Sequence, residues 1–347
     1  MIAPRRILVS RIRRIGDAIL SLPVVDALRE AHPDAAIDFL AEEGPAQAAL
    51  GHPEIRSVLS YRGATLGLPA PPGLLLRLAR GRYDWAIDLY GNPRSALLIA
   101  ITGAPVRVGP ARRARRLLYT HPMANPAGPI SAIDHHLLAL KALGLAPREL
   151  KPRIHLGAEE RSRGRAALDA LLPPGGPRVG LHVGNRWAAK RWPEARFRAL
   201  LRALSRIGIR GLVLAGPGEE ALAQRVATGA LGAGASPAPV LAGLPLRPYW
   251  SVLAALDLLV TNDGSPLHAG PALGVPTVGI LGPTVPEIWF PYAAEDGHQL
   301  LCAEIWCRPC HRHQCPRMDC LEWIGVGDAL GAVERGLNRG EGFGASA

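Results

Sequence analysis

Lysine is nearly missing from this 347-residue chain: of 40 basic residues only Lys141, Lys151 and Lys190 are lysines. With Ala, Gly, Pro and Arg abundant, this has the look of mutational bias in a GC-rich genome, so part of the basic excess carries no functional meaning. Aromatics are scarce too, at 4 Phe, 7 Trp and 6 Tyr, and they are scattered. Little stacking platform is left for single-stranded nucleic acid. No apolar run approaches the ~18 to 20 residues that cross a bilayer. The start, Met1 to Arg14, lacks the apolar stretch and small-residue cleavage site of a secretory signal. These absences predict a soluble, cytoplasmic chain, and 48% hydrophobic residues exclude disorder. There is no D-x-D triplet either, which argues against a catalytic metal bridging a diphosphate.

What is present is charge, unevenly spread. The formal net charge is +11, yet residues 1–172 hold 24 basic against 15 acidic side chains and residues 173–347 hold 16 against 14. Much of the excess sits in Arg5 to Arg14 and in Arg107, Arg112, Arg113, Arg115 and Arg116. Such clusters suit a phosphorylated ligand, an anionic membrane surface or nucleic acid, and equally suit a merely solvated face.

Short β-branched or apolar runs alternate with helical stretches, the βαβ rhythm of α/β proteins. The first series has strands at Ile7–Ser10, Ala36–Leu40, Val58–Tyr61, Trp85–Leu89 and Val106–Val108. Pro173-Pro-Gly-Gly-Pro177 breaks it, and a second series follows with strands at Val179–His182, Gly211–Ala215, Leu258–Thr261 and Val278–Leu281. We therefore expect two doubly wound, Rossmann-like domains, 1–172 and 173–338, facing a central cleft, and a frayed tail over 339–347. Ligands bind outside the carboxyl ends of such strands.

Three strand-to-helix loops carry the chemistry. In Arg11-Ile-Arg-Arg-Ile-Gly16-Asp17, Gly16 permits a tight turn and Asp17 is either a general base for a substrate hydroxyl or simply a helix N-cap. In His182-Val-Gly-Asn-Arg-Trp-Ala-Ala-Lys190-Arg191-Trp-Pro193, Lys190 and Arg191 offer cations to a phosphate, or Lys190 is an ordinary surface lysine. In Thr261-Asn-Asp263-Gly264-Ser265-Pro266-Leu-His268, a helix opens with free backbone N–H groups, an anion site for a diphosphate or an ordinary capped helix. Gly216-Pro-Gly218-Glu219-Glu220-Ala221 imitates a dinucleotide fingerprint. No acid follows between Gly234 and Leu244, so a nicotinamide site is not expected, and Glu219 and Glu220 are candidates for ribose hydroxyls instead.

Ile15-Gly-Asp17 with Leu22-Pro23, Lys190-Arg-Trp-Pro193, Thr261 to His268 and Gly282-Pro-Thr284, in that order, resemble the glycosyltransferase family 9 heptosyltransferases of lipopolysaccharide synthesis. The resemblance implies a GT-B fold and an inverting, metal-independent transfer of heptose from ADP-heptose to an anionic lipopolysaccharide core acceptor at the inner membrane surface. It makes Asp17 the general base and Lys190 the counter-charge to departing ADP. Asp263, Gly264, Ser265 and His268 would line the donor site, and Glu220, with Glu219 as the alternative, would hold the ribose. Another sugar nucleotide in the same fold is one competing reading.

All five cysteines lie between Cys302 and Cys320, and Cys307, Cys310, Cys315 and Cys320 have the spacing of a zinc knuckle with Cys in place of His. A structural zinc, packed reduced thiols, a disulfide and an iron–sulfur centre are all compatible with it. With a pI near 10.1, the knuckle spacing also sustains a nucleic-acid-binding alternative, which the sparse aromatics oppose. Family 9 members can carry a similar segment.

Overall fold

Runs such as Ile7-Leu-Val-Ser10 and Leu258-Leu-Val-Thr-Asn262 are apolar along almost their whole length because the strands they form are buried on both faces. The computed structural model describes residues 3–63, 69–110, 113–146, 151–229 and 237–338, and it divides into two units, Met1–His155 and Leu156–Ala347. The tail beyond 338 and Arg112 lie outside the described residues.

The first unit runs β1 (Arg6–Ser10), α1 (Ile15–Ala31), β2 (Ala36–Glu42), α2 (Glu43–Ala46), β3 (Ser57–Tyr61), α3 (Pro72–Ala79), β4 (Trp85–Asp88), α4 (Pro93–Ile101), β5 (Val106–Pro110), a 3-10 turn Arg113–Leu118, β6 (His121–Met123) and α5 (Ala132–Lys141). Its parallel sheet has the order β3-β2-β1-β4-β5-β6. The chain winds one way from β1 to β3 and then crosses to β4, so the switch point lies between β1 and β4. There Ser10 stands opposite Asp88.

The second unit runs α6 (Ala158–Leu171), β7 (Arg178–His182), a 3-10 turn Ala188–Lys190, α7 (Glu194–Arg206), β8 (Arg210–Ala215), α8 (Glu220–Thr228), β9 (Val240–Ala242), α9 (Leu246–Leu253), β10 (Leu258–Asn262), α10 (Ser265–Ala272), β11 (Thr277–Leu281), α11 (Pro286–Trp289), β12 (Gln299–Cys302), α12 (Asp319–Glu322) and α13 (Val326–Asn338). Its parallel sheet, β12-β11-β10-β7-β8-β9, repeats the first topology with the switch point between β7 and β10. Trp192 packs edge-on against Phe197 in its core, ring centroids 5.0 Å apart.

The second unit begins before the Pro173–Pro177 break because α6 already packs on α9. A Cβ on Gly164 would come within 2.1 Å of the Ser251 carbonyl oxygen, so only glycine allows that approach. The break is the connection from α6 to β7.

Candidate active site

The turn after β1 builds a buried ion pair. Asp17 is the third residue of α1, and the N-cap is Arg14, which takes the left-handed conformation (φ 72°) and makes no side-chain cap bond. Gly16 is helical, so the tight turn falls on Arg14 instead. The capping role open to Asp17 is not the one it plays. Its Oδ1 lies 2.8 Å from Nη2 of Arg11, with Arg11 7% and Asp17 19% exposed. Arg11 in turn sits 4.6 Å above the ring of Tyr90, which follows β4 across the switch point. Buried His136 of α5 has its pKa lowered by burial and then by the Arg11 charge, so it stays neutral. One carboxylate oxygen of Asp17 is thus anchored, and the group keeps an exposed edge.

In the second unit, four loops converge at the carboxyl ends of β8, β7, β10 and β11. Lys190 Nζ lies 2.6 Å from Oδ2 of Asp263, the two side chains being 13% and 5% exposed. The same oxygen accepts from the hydroxyl of Thr284, after β11. The ammonium also lies 4.6 Å above the Trp187 ring, a cation–π contact that shields it from water. Asn185 Nδ2 donates to the Asp263 carbonyl at 2.6 Å, and Asn262 ties the backbones of Val183, Gly184 and Trp192 together. Gly264 is the N-cap of α10, with extended backbone and Pro266 in the first turn. Ser265, half-buried, opens the helix, and the glycine N-cap leaves it without a side-chain cap bond.

Glu219 joins this cluster and Glu220 does not. Glu219 Oε2 accepts from the Gly216 N–H at 3.2 Å, and Oε1 lies 3.6 Å from Nη2 of Arg191. A Cβ on Gly184 would meet that carboxylate at 1.7 Å, so the glycine makes room for it. Glu220 is exposed, held by the Gly218 N–H at 3.0 Å, and leans toward Gly243. His268, on the buried side of α10, shares a 2.9 Å hydrogen bond with the Tyr292 hydroxyl.

A family model described as glycosyltransferase family 9 (heptosyltransferase) matches residues 74–320. The chain belongs to glycosyltransferase family 9. It is 29% identical over 318 residues to lipopolysaccharide heptosyltransferase 1 of Pseudomonas aeruginosa, which covers 89% of this chain and 87% of that one. Two solved structures share its fold. A family 9 glycosyl transferase from Veillonella parvula has a TM-score of 0.83 at 23% identity, covering 96% of this chain and 97% of that one. An Escherichia coli ADP-heptose lipopolysaccharide heptosyltransferase II has a TM-score of 0.79 at 23% identity, covering 97% and 99%. The chain is therefore a glycosyltransferase of the heptosyltransferase family with the GT-B architecture.

In this family 9 enzyme the cysteine-rich segment braces the Lys190 loop. His313 stacks on Trp187 with centroids 3.8 Å apart, and its carbonyl accepts from the Ala189 N–H at 3.1 Å. The N–H groups of Cys310 and His311 both donate to the carbonyl of Pro283, beside Thr284. The tetrahedral zinc admitted by the spacing is not supported: among the described residues no group of three or more His, Cys, Asp or Glu side chains is arranged to hold a metal ion. The five thiols are unbridged. Cys320 is tucked into the core, and burial, then its neighbours Cys307, Cys310 and Cys315, push it up to about 11. Cys307 and Cys310 are exposed, and Cys315 accepts a bond from the Met318 N–H.

Arg11, Tyr90, Asn185, Trp187, Thr284 and His313 were not singled out as site residues by spacing. Arg11, Asn185, Trp187 and Thr284 lie inside motifs that were, whereas Tyr90 and His313 lie outside the strand-end loops and reach them only through the fold.

Proposed function

We propose that this enzyme moves heptose from ADP-heptose to a hydroxyl of a lipopolysaccharide inner-core acceptor in one inverting displacement. The observation that carries the reading is the Lys190–Asp263–Thr284 cluster beside the opening of α10, at a sheet switch point, in a chain resembling enzymes named for that transfer. The free N–H groups at the start of α10 and the Lys190 ammonium bind the diphosphate. Glu219, the less exposed carboxylate of the pair, receives the ribose hydroxyls. Asp17 takes the proton from the acceptor hydroxyl as its oxygen attacks C1 of the sugar. As that bond forms, the C1–O bond to the diphosphate breaks and ADP leaves with the electron pair. Charge grows on ADP as that bond breaks, so a cation fixed there stabilises the transition state more than the bound donor.

Lys190 is held by Asp263 and Trp187 before donor arrives, which keeps its side chain in place without freezing it on binding. The acceptor, with acidic sugars and phosphates, meets the more basic first half of the chain at a membrane surface. Purified protein is tested with ADP-heptose and a heptose-deficient core acceptor, following ADP release and the anomeric configuration of the product. Inverted product is expected. Preference for a UDP- or GDP-sugar in transfer and in thermal-shift assays would replace the donor assignment.

A further inference from the structure

One face of the first unit takes no part in this chemistry, yet it is unlike an ordinary solvated surface. α3, α4 and the 3-10 turn Arg113–Leu118 lie side by side, α4 touching both neighbours. Each turns a leucine outward: Leu76 is 50%, Leu97 43% and Leu117 78% exposed. The next residues of α4, Leu98 and Ile99, are wholly buried, so Leu97 stands on the solvent side of a helix already anchored. Arg77 on α3, Arg80 at its C-cap and Arg116 on the 3-10 turn are exposed beside them.

Among the described residues no ion pair reaches Arg77, Arg80 or Arg116. From Arg62 to Ile133 the sequence has ten arginines, of which Arg62 and Arg94 pair with Glu43 and Glu42 from outside the stretch, and only two carboxylates of its own, Asp84 and Asp88. Both are used inside the fold. Asp84 accepts from the backbone N–H groups of Arg5 and Arg6, and Asp88 is fully buried, accepting from the Tyr119 hydroxyl at 2.7 Å.

We propose that this face docks on an anionic lipid bilayer, the leucines entering the headgroup boundary and the arginines meeting lipid phosphates. Single leucines standing among arginines, with no acid and no exposed aromatic between them, match a charged lipid surface rather than a protein groove or a stacked nucleic acid. The proposal extends the membrane-surface acceptor suggested above, but it rests on surface composition. Vesicle binding and heptose transfer can therefore fail separately.

The full chain is sedimented with vesicles of phosphatidylcholine alone and of phosphatidylcholine mixed with phosphatidylglycerol. Binding only to the anionic vesicles, released by salt, is expected. Arg80→Glu with Arg116→Glu should weaken it at least about twenty-fold, at about five-fold per arginine lost. Leu97→Ser with Leu117→Ser should weaken it several-fold. Both double variants should keep the wild-type melting temperature and full transfer to a water-soluble acceptor. Equal binding to neutral vesicles, or no binding, overturns the proposal. So does arginine-dependent binding of nucleic acid without vesicle binding, or a dimer that the leucine changes dissolve. Loss of transfer to the soluble acceptor in the arginine variant, with vesicle binding intact, would make those arginines acceptor ligands instead.

Discussion

Asp17 and Arg11 are one unit at the residue scale, because a carboxylate pinned at Oδ1 has its remaining oxygen aimed by the guanidinium. Asp17→Asn keeps size and polarity but cannot accept a proton. Turnover should drop by roughly 10² to 10⁴ while ADP affinity and melting temperature hold. An active, folded Asn variant would remove Asp17 from the chemistry. Arg11→Met should lower kcat with little change in donor KM, and Arg11→Lys should recover part of the loss, since Lys restores charge without the flat contact on Tyr90. On the donor side, Lys190→Ala should cost on the order of 10² to 10³ in kcat, the scale of one lost transition-state contact. Gly184→Ala should displace Glu219, because no Cβ fits within 1.7 Å of its carboxylate. Calorimetry of ADP binding should register roughly a tenfold loss, the price of about one hydrogen bond to a charged group.

At the scale of elements, the cysteine-rich segment and the Lys190 loop act together through the layer His313, Trp187, Lys190. Removing the outer layer frees the middle one. His313→Ala should therefore reduce kcat several-fold with almost no change in melting temperature, since His313 is exposed. A variant with unchanged kcat would show that the stack is ornamental. The thiols offer a second check. Exposed Cys307 and Cys310 should react quickly with a thiol reagent, and Cys320, buried and held mostly as thiol, only on unfolding. Uniform protection of all four in the native protein would point to ligation of a metal.

For the whole molecule, buried histidines set the response to acid. Burial lowers both His52 and His182 from 6.5 to about 4, His52 also feeling His155. Between those limits the unfolded chain takes up protons that the folded chain refuses, so stability falls as pH drops through that window. Asp26, raised by burial from 3.8 to about 6, acts oppositely: it favours the folded chain at low pH and loses that contribution as pH rises. Asp88 is raised by burial in the same sense as Asp26, but these two carboxylates are outnumbered by four histidines lowered by burial, His32, His52, His136 and His182. The melting temperature should fall on going from pH 6.5 to pH 4, and His182→Gln should flatten the slope. An unchanged slope would mean that His182 titrates alike in both states.

Strands β1 to β5, β7, β8, β10 and β11 were legible in the sequence as short apolar or β-branched runs, the central ones because burial on both faces demands continuous apolar residues. The edge strands β6, β9 and β12 were not, being three or four residues long and only partly covered. Residue type and order along the chain also determined the three loops at strand ends and their family resemblance. Which partners meet was decided only by the sheet order. Placing β4 beside β1 lays Tyr90 on Arg11, and placing β10 beside β7 brings Asp263 to Lys190, contacts between residues about 70 to 80 positions apart. The same holds for the choice of Glu219 over Glu220: adjacent and chemically equal in sequence, they are separated by one turn of chain and the space left by Gly184. Spacing reports local geometry, whereas burial and long-range pairing follow from how the sheet is wound.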